Sequence, residues 1–304
     1  MSKLLMVALA GFAAQLIDGS LGMAFGVTAS TGLLAVGTAP AIASASVHLA
    51  ELGTSLSSGI SHWRLRNVDW SVVGWLAIPG CIGGFLGATV LSSISTEAAA
   101  PWMSGILIAL GIYVLLRFSF WRQPVRQRSF TPAGRRWLVP LGTVAGFVDA
   151  TGGGGWGPIS TSTLLTSGKL SPRRTVGSVD TSEFLVSLGS SAGFLVALGS
   201  TALSPVVVGG LLIGGVLAAP LAAWLVRLLP ARMIGVGAGG LIVLTNLRTV
   251  LNTLEAPAVV SITGYTVVAI GWAVAIGWAV RATLLERRQS GAVDAEAAKE
   301  ASAV

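Results

Sequence analysis

Residues 137–168 read WLVPLGTVAGFVDATGGGGWGPISTSTLLTSG, and the interruption in this stretch decides the fold. The run is apolar enough to enter a lipid bilayer. It is too long for one straight span, because about 20 helical residues at 1.5 Å each cover the roughly 30 Å hydrocarbon core. Gly152 to Gly155, followed by Trp156-Gly157-Pro158, break it near its midpoint. Glycine and proline free backbone N–H and C=O groups that lipid cannot satisfy, so the break is expected to be enclosed by protein or to face water. Residues 4–36 repeat the design, with Asp18-Gly19-Ser20-Leu21-Gly22 as the interruption.

Seven further stretches are long enough to cross a bilayer: roughly 41–62, 70–93, 98–116, 174–198, 204–226, 233–253 and 259–281. With 53% hydrophobic and only 10% charged residues, the chain has far less charge than the quarter or so usual in a soluble domain. That composition excludes an ordinary water-soluble globule. The net charge of +7 does not point to nucleic acid, because the basic residues fall between apolar stretches with no interleaved aromatic platform. The single cysteine, Cys81, excludes an intrachain disulfide and reads as packing. The first residues, MSKLLMVALAGFAA, share the outline of a signal peptide. Because part of the stretch recurs inside the chain, it reads as the start of a half-helix instead.

Placement of Lys and Arg decides how the two broken regions meet the membrane. If each enters and returns to the side it came from, one side collects Arg64 and Arg66, Arg117 to Arg136, Lys169 to Arg174, Arg227 and Arg232, and Arg281 to Arg288. That side is read as the cytoplasm, which puts the N-terminus outside and the C-terminus inside. Two segments also align. PAIASASVHLAEL (40–52) matches PRRTVGSVDTSEF (172–184), placing Ser46 on Ser178, His48 on Asp180 and Glu51 on Glu183, and AGF at 10–12 matches AGF at 145–147. The expected architecture is an all-α polytopic membrane protein with two inverted-topology repeats, each opening with a glycine-broken re-entrant hairpin, and about seven full transmembrane helices. Its parts are a first repeat over 1–120, a basic linker over 121–136, a second repeat over 137–288 and a disordered tail over 289–304.

Asp18, His48, Glu51, Asp149, Asp180 and Glu183 are the ionisable side chains that fall well inside apolar segments. Each costs about 2.5 to 3.5 kcal/mol near the bilayer centre, so six are not retained without a use. The bland alternative is mutual pairing or capping of the broken helices. His48 with Glu51, and Asp180 with Glu183, stand three residues apart and share a helix face. Carboxylates that face each other in low dielectric repel, which favours one of them holding a proton. Glu51, Glu183, His48 and Asp180 are therefore read as proton-coupling groups, with Asp18 and Asp149 as further intramembrane acids. The breaks offer backbone N–H groups at half-helix N-termini, which bind anions without a basic side chain. Ser20, Gly22, Ser46, Gly153, Gly154, Gly155, Trp156 and Ser178 are the expected substrate-binding residues. The run GGGGWGP lacks the GK[ST] ending of a nucleotide phosphate loop, and no resident metal or cofactor is expected.

At these residues the chain resembles the TauE/SafE sulfite and sulfonate exporter family, also called the 4-toluene sulfonate uptake permease family. The resemblance runs over about residues 5–284. It rests on the glycine breaks, the Pro40 and Pro172 segments, and SHWRLRNVDWSVVGWLAIPGCIGGFLGATV at 61–90. It implies a bacterial inner-membrane transporter, not an enzyme, whose partners are a small sulfur-containing anion, protons and the lipid bilayer. Two features depart from the family pattern: DGSLGMAFG at the first break, and the acidic pairs in the helices that follow the breaks. Extra acid opposes an anion unless it is protonated, which keeps a divalent-cation transporter and an anion channel as alternatives. No HExxH is present to favour a membrane metallohydrolase.

Overall fold

The computed structural model describes residues 3–21, 23–120, 133–199, 203–228 and 231–302, with backbone alone for 3, 19–21, 133, 172, 219–220, 222–228, 231 and 286–302. Among these residues the chain is all-helical. The first broken region becomes α1 (Lys3–Leu21) and α2 (Phe25–Ala35), followed by α3 (Pro40–Arg64), α4 (Trp70–Ser93) and α5 (Thr96–Phe120). The second becomes α6 (Leu138–Gly152), a π-helical turn over Gly157–Thr161 and α7 (Ser162–Ser167). After it come α8 (Pro172–Leu198), α9 (Pro205–Leu228), α10 (Ala231–Thr253) and α11 (Ala258–Ser302).

The helix ends follow local chemistry. Pro40 and Pro172 occupy first-turn positions of α3 and α8, where a missing N–H costs nothing. The Asp69 carboxylate caps α4 by accepting from the Ser71 and Val72 N–H groups at 3.1 and 3.2 Å. At the second break Gly153 is left-handed (φ 68°), and Gly154 and Gly155 both sit at φ 153°, a region that side chains rarely adopt. α6 would rise only about 22 Å and α2 about 17 Å at 1.5 Å per residue, each short of a full crossing.

Among the described residues five helices are long and apolar enough to cross a membrane: α4, α5, α8 within Arg173–Leu198, α10 within Arg232–Thr253, and α11 within Ala258–Leu285. The stretch read as a span at 41–62 lies in α3, whose apolar character is diluted by serines, His48 and Glu51, and the stretch at 204–226 lies in α9. The sequence reading of a disordered tail differs from what is seen. α11 continues as helix to Ser302, because Ala, Glu and Lys in AVDAEAAKEAS are strong helix formers.

In the bundle α1 lies along α9, α6 along α4, α3 against α8 and α5 against α10, while α11 rests on α10 and α5. One apolar cluster joins α1, α2, α3, α5, α9 and α10, including Val7, Phe25, Val47, Leu107, Leu211 and Ile242. A second joins α4, α6, α7 and α8 through Leu76, Leu138, Leu164 and Val186. Small residues bring the backbones close, as membrane helices require. A Cβ added to Gly11 would lie 2.6 Å from the Leu211 carbonyl oxygen, and one on Gly142 would lie 2.5 Å from that of Leu76. On α11, Val259, Ile262, Val267, Ile270 and Val274 are all at least 60% exposed, a surface that suits lipid and not water.

Gly154→Ala is expected to be among the most damaging single changes. The new Cβ would run into the Val27 amide at a φ alanine avoids, lowering stability by about 3 kcal/mol or more. Thermal unfolding of the purified protein in detergent checks this, and a variant that melts like the wild type would refute it.

Candidate functional site

The two breaks touch. A Cβ on Gly26 would lie 2.9 Å from the Gly154 Cα, one on Gly157 would lie 3.0 Å from the Met23 Cα, and the Ser30 hydroxyl donates to the Gly153 carbonyl. Each break is also spanned by an aspartate from the helix that precedes it. The Asp18 Oδ1 accepts from the Ala24 and Phe25 N–H groups at 2.7 and 3.2 Å, and the Asp149 Oδ1 accepts from the Trp156 N–H at 2.9 Å. N-terminal helix donors are left unpaired by the helix itself, and these carboxylates take part of that role.

α3 and α8 close the site from the other side. Glu51 on α3 is 3% exposed and His48 is fully buried. The His48 Nδ1 donates to the Glu51 Oε2 at 2.8 Å when Glu51 is ionised, and Ser187 of α8 donates to the same oxygen at 3.3 Å. The other ring nitrogen, Nε2, faces the Asp149 Oδ2 across 3.9 Å. Both of these atoms are buried without a hydrogen-bond partner. Further along α3 the Ser58 hydroxyl donates to the Asp180 Oδ2 at 2.9 Å, and the His62 Nε2 lies 3.4 Å from that oxygen.

These groups surround one cavity of about 300 Å³, onto which Asp18, Glu51, Asp149, Asp180 and Glu183 all open. Four helices, two from each half of the chain, supply the five carboxylates. No lysine or arginine is among the described lining residues. Three donor atoms, one each from His48, Glu51 and Asp149, lie within 4.8 Å of one another, a spacing compatible with a cation between them.

The residues expected to bind substrate are placed differently from one another. Gly155 lines the cavity. Gly153 and Gly154 instead pack against Ser30 and Val27 at the contact between the breaks. Trp156 is fully buried beside Leu76 and Val186, with its Nε1 donating to the Val179 carbonyl at 3.2 Å. The Ser46 hydroxyl donates to the Ile42 carbonyl at 2.7 Å, and the Ser178 hydroxyl accepts from the Asp69 N–H at 2.8 Å. The Ser20 side chain and Gly22 lie outside the described residues. Thr54, Ser55, Ser58 and His62 line the cavity without having been singled out from the sequence. Their signal was available, since 51, 54, 55, 58 and 62 share one face of a helix.

The sequence pattern of the family described as Sulfite exporter TauE/SafE matches residues 7–249, which is most of the chain. The chain belongs to the TauE/SafE sulfite exporter family. It is 49% identical over 272 residues to "Probable membrane transporter protein YtnM" of Bacillus subtilis (strain 168), covering 90% of this chain and 91% of that protein. It is also 30% identical over 127 residues to "Probable membrane transporter protein YdhB" of the same organism, over 41% of this chain and 51% of that protein. No solved structure matches the chain. Membership of this family makes the chain a membrane transporter, and among its described residues five helices are long and apolar enough to cross a bilayer.

The capping contacts separate shape from charge. Asp18→Asn and Asp149→Asn keep an oxygen that can accept from the same N–H groups, so both are expected to melt close to the wild type. Asp18→Ala and Asp149→Ala lose the cap, worth about 1 kcal/mol each. Melting curves of the four variants test this, and equal melting of the Asn and Ala forms at either position would remove the capping role there.

Proposed function

We propose that this protein is a secondary transporter that moves a small sulfur-containing oxyanion or organosulfonate, such as sulfite, thiosulfate or sulfoacetate, together with protons by alternating access. The observation that carries the reading is the grouping of five carboxylates, with no lysine or arginine among the described lining residues, around one cavity where the two breaks meet. Ionised carboxylates repel an anion strongly in low dielectric. A protonated carboxyl instead donates a hydrogen bond to an oxyanion. In such a cavity, proton loading becomes the condition for cargo loading, which is the essence of coupling.

In this carrier Glu51 and Glu183, on facing helices, take and release the protons. His48 links Glu51 to Asp149 on the opposite break, and Asp180 extends the set toward His62. The tips of the two broken helices hold the anion at Gly155 and at the start of α2. Pairing of α1 with α9 and of α6 with α4 is the exchange expected of two inverted repeats, and the short α2, α6 and α7 support re-entrant hairpins. Rocking of one repeat against the other would then alternate access. The basic loops put the N-terminus outside and the C-terminus in the cytoplasm of a bacterial inner membrane.

A second reading, transport of a divalent cation, is favoured by the unpartnered His48 Nε2 and Asp149 Oδ2 beside Glu51. Uptake into proteoliposomes separates the two. Labelled sulfite, thiosulfate, sulfoacetate and a divalent metal ion would each be offered with and without an imposed proton gradient. The expected result is gradient-dependent uptake of a sulfur anion, abolished by Glu51→Gln and by Glu183→Gln. Anion flux that ignores the gradient and survives both substitutions would reject the coupling assignment. Metal uptake lost in His48→Ala, with no anion flux, would replace the anion with the cation.

A further inference from the structure

We infer that the outer face where α3, α4 and α8 meet binds one anionic phospholipid, with its phosphate between Arg66 and Arg174 and an acyl chain in the adjoining apolar groove. Two concavities of about 240 Å³ each lie side by side here. One is lined by Arg66, Val68 and Arg174 together with Trp63 and Trp70. The other shares the same two tryptophans and is otherwise walled mainly by Leu56, Ile60, Val73, Phe184 and Leu185. A charged pocket that runs into an apolar slot through a pair of tryptophans has the polarity profile of a phospholipid. Trp63 and Trp70 are 60% and 56% exposed, as expected of indoles at headgroup level.

The charge is available. Among the described residues no carboxylate lies within 4.0 Å of either guanidinium, and the nearby Asp69 carboxylate is spent on capping α4. Arg174 stands in the first turn of α8, so the positive end of that helix adds to the field. The backbone at Arg66 is an independent sign. After α3 ends, the Arg66 N–H bonds the Trp63 carbonyl and the Asn67 N–H bonds the His62 carbonyl, with Arg66 itself left-handed at φ 55°. Glycine is the residue this helix-ending position favours. An arginine held there against its backbone preference is consistent with a use for its side chain. Ser55 lines both the apolar groove and the acidic cavity, so a lipid in the groove would press on the far side of the wall that carries Glu51.

The test uses the purified full-length protein in detergent, melted with added phosphatidylglycerol, phosphatidylcholine or glycerol 3-phosphate. A ligand that binds only the folded state raises its melting temperature, so phosphatidylglycerol is expected to raise it at least roughly twice as far as phosphatidylcholine. Arg66→Gly should melt no lower than the wild type without lipid, yet lose most of the phosphatidylglycerol shift. Arg174→Gln should lose it as well, and Arg173→Gln, outside the pocket, should keep it. Equal shifts from the two lipids would overturn the proposal, as would a full shift in Arg66→Gly or an equal loss in Arg173→Gln. A shift reproduced by glycerol 3-phosphate alone would show a free-phosphate site and overturn the lipid assignment.

Discussion

The structure depends on how two interrupted helices satisfy their backbone where water is scarce. An unpaired N–H in a low-dielectric interior costs several kcal/mol, so a break in a membrane helix survives only with a local acceptor. Asp18 and Asp149 are those acceptors, each reaching forward across its own break to the start of the next helical piece. Choosing a carboxylate for this task has a second effect, because it sets acidic groups at the point where the two breaks touch. The capping solution and the acidic site are therefore one arrangement.

α3 and α8 complete what the breaks begin. Their first turns start at prolines, and the next turns carry the paired ionisable groups inward. Hydroxyls spaced along the same α3 face bind those groups: Ser58 holds Asp180, while Ser55 lines the cavity one turn from Glu51. Close approach is made possible by glycine and alanine elsewhere, as in the α1–α9, α4–α6 and α4–α8 contacts, the last through Gly189 and Gly193 of α8, beyond its acidic turns. Division of labour follows. Small-residue interfaces hold the bundle, and the α3–α8 interface remains polar.

Much of this was legible in the sequence for physical reasons. Proline at a helix start, four glycines in a row and long apolar runs each have one local consequence, and α3, α8, the second break and five long apolar helices appear where those signals stood. The six ionisable residues of the apolar segments stood out by cost alone, and the fold brings five of them onto one cavity with His48 bonded to Glu51. What failed to show was direction. Ser46 and Ser178 align when 40–52 is set on 172–184, yet one bonds its own helix and the other the α4 start, because a hydroxyl takes the nearest backbone partner. Trp156 stands in the break but turns into the core beside Gly80, where its ring fills the space left by a missing side chain. Capping by Asp18 and Asp149 stood in the sequence only as the alternative to a functional use: they lie six and two residues after the shared AGF, so that match does not pair them.

The acidic cavity also constrains any cargo through charge balance. Five carboxylates share a cavity of about 300 Å³, and in low dielectric like charges repel, so ionising each one opposes ionising the others. In the proposed carrier a cargo therefore changes how many protons the site holds. An anion demands more protons, and a cation releases some. In the proposed carrier the sign of the cargo's charge thus fixes whether protons travel with it or against it. A site built only from neutral hydroxyls and backbone N–H groups would impose no such relation. In that carrier the acids beside the breaks make occupancy of the cleft depend on proton supply, and two of the five, Asp18 and Asp149, also cap the broken helices.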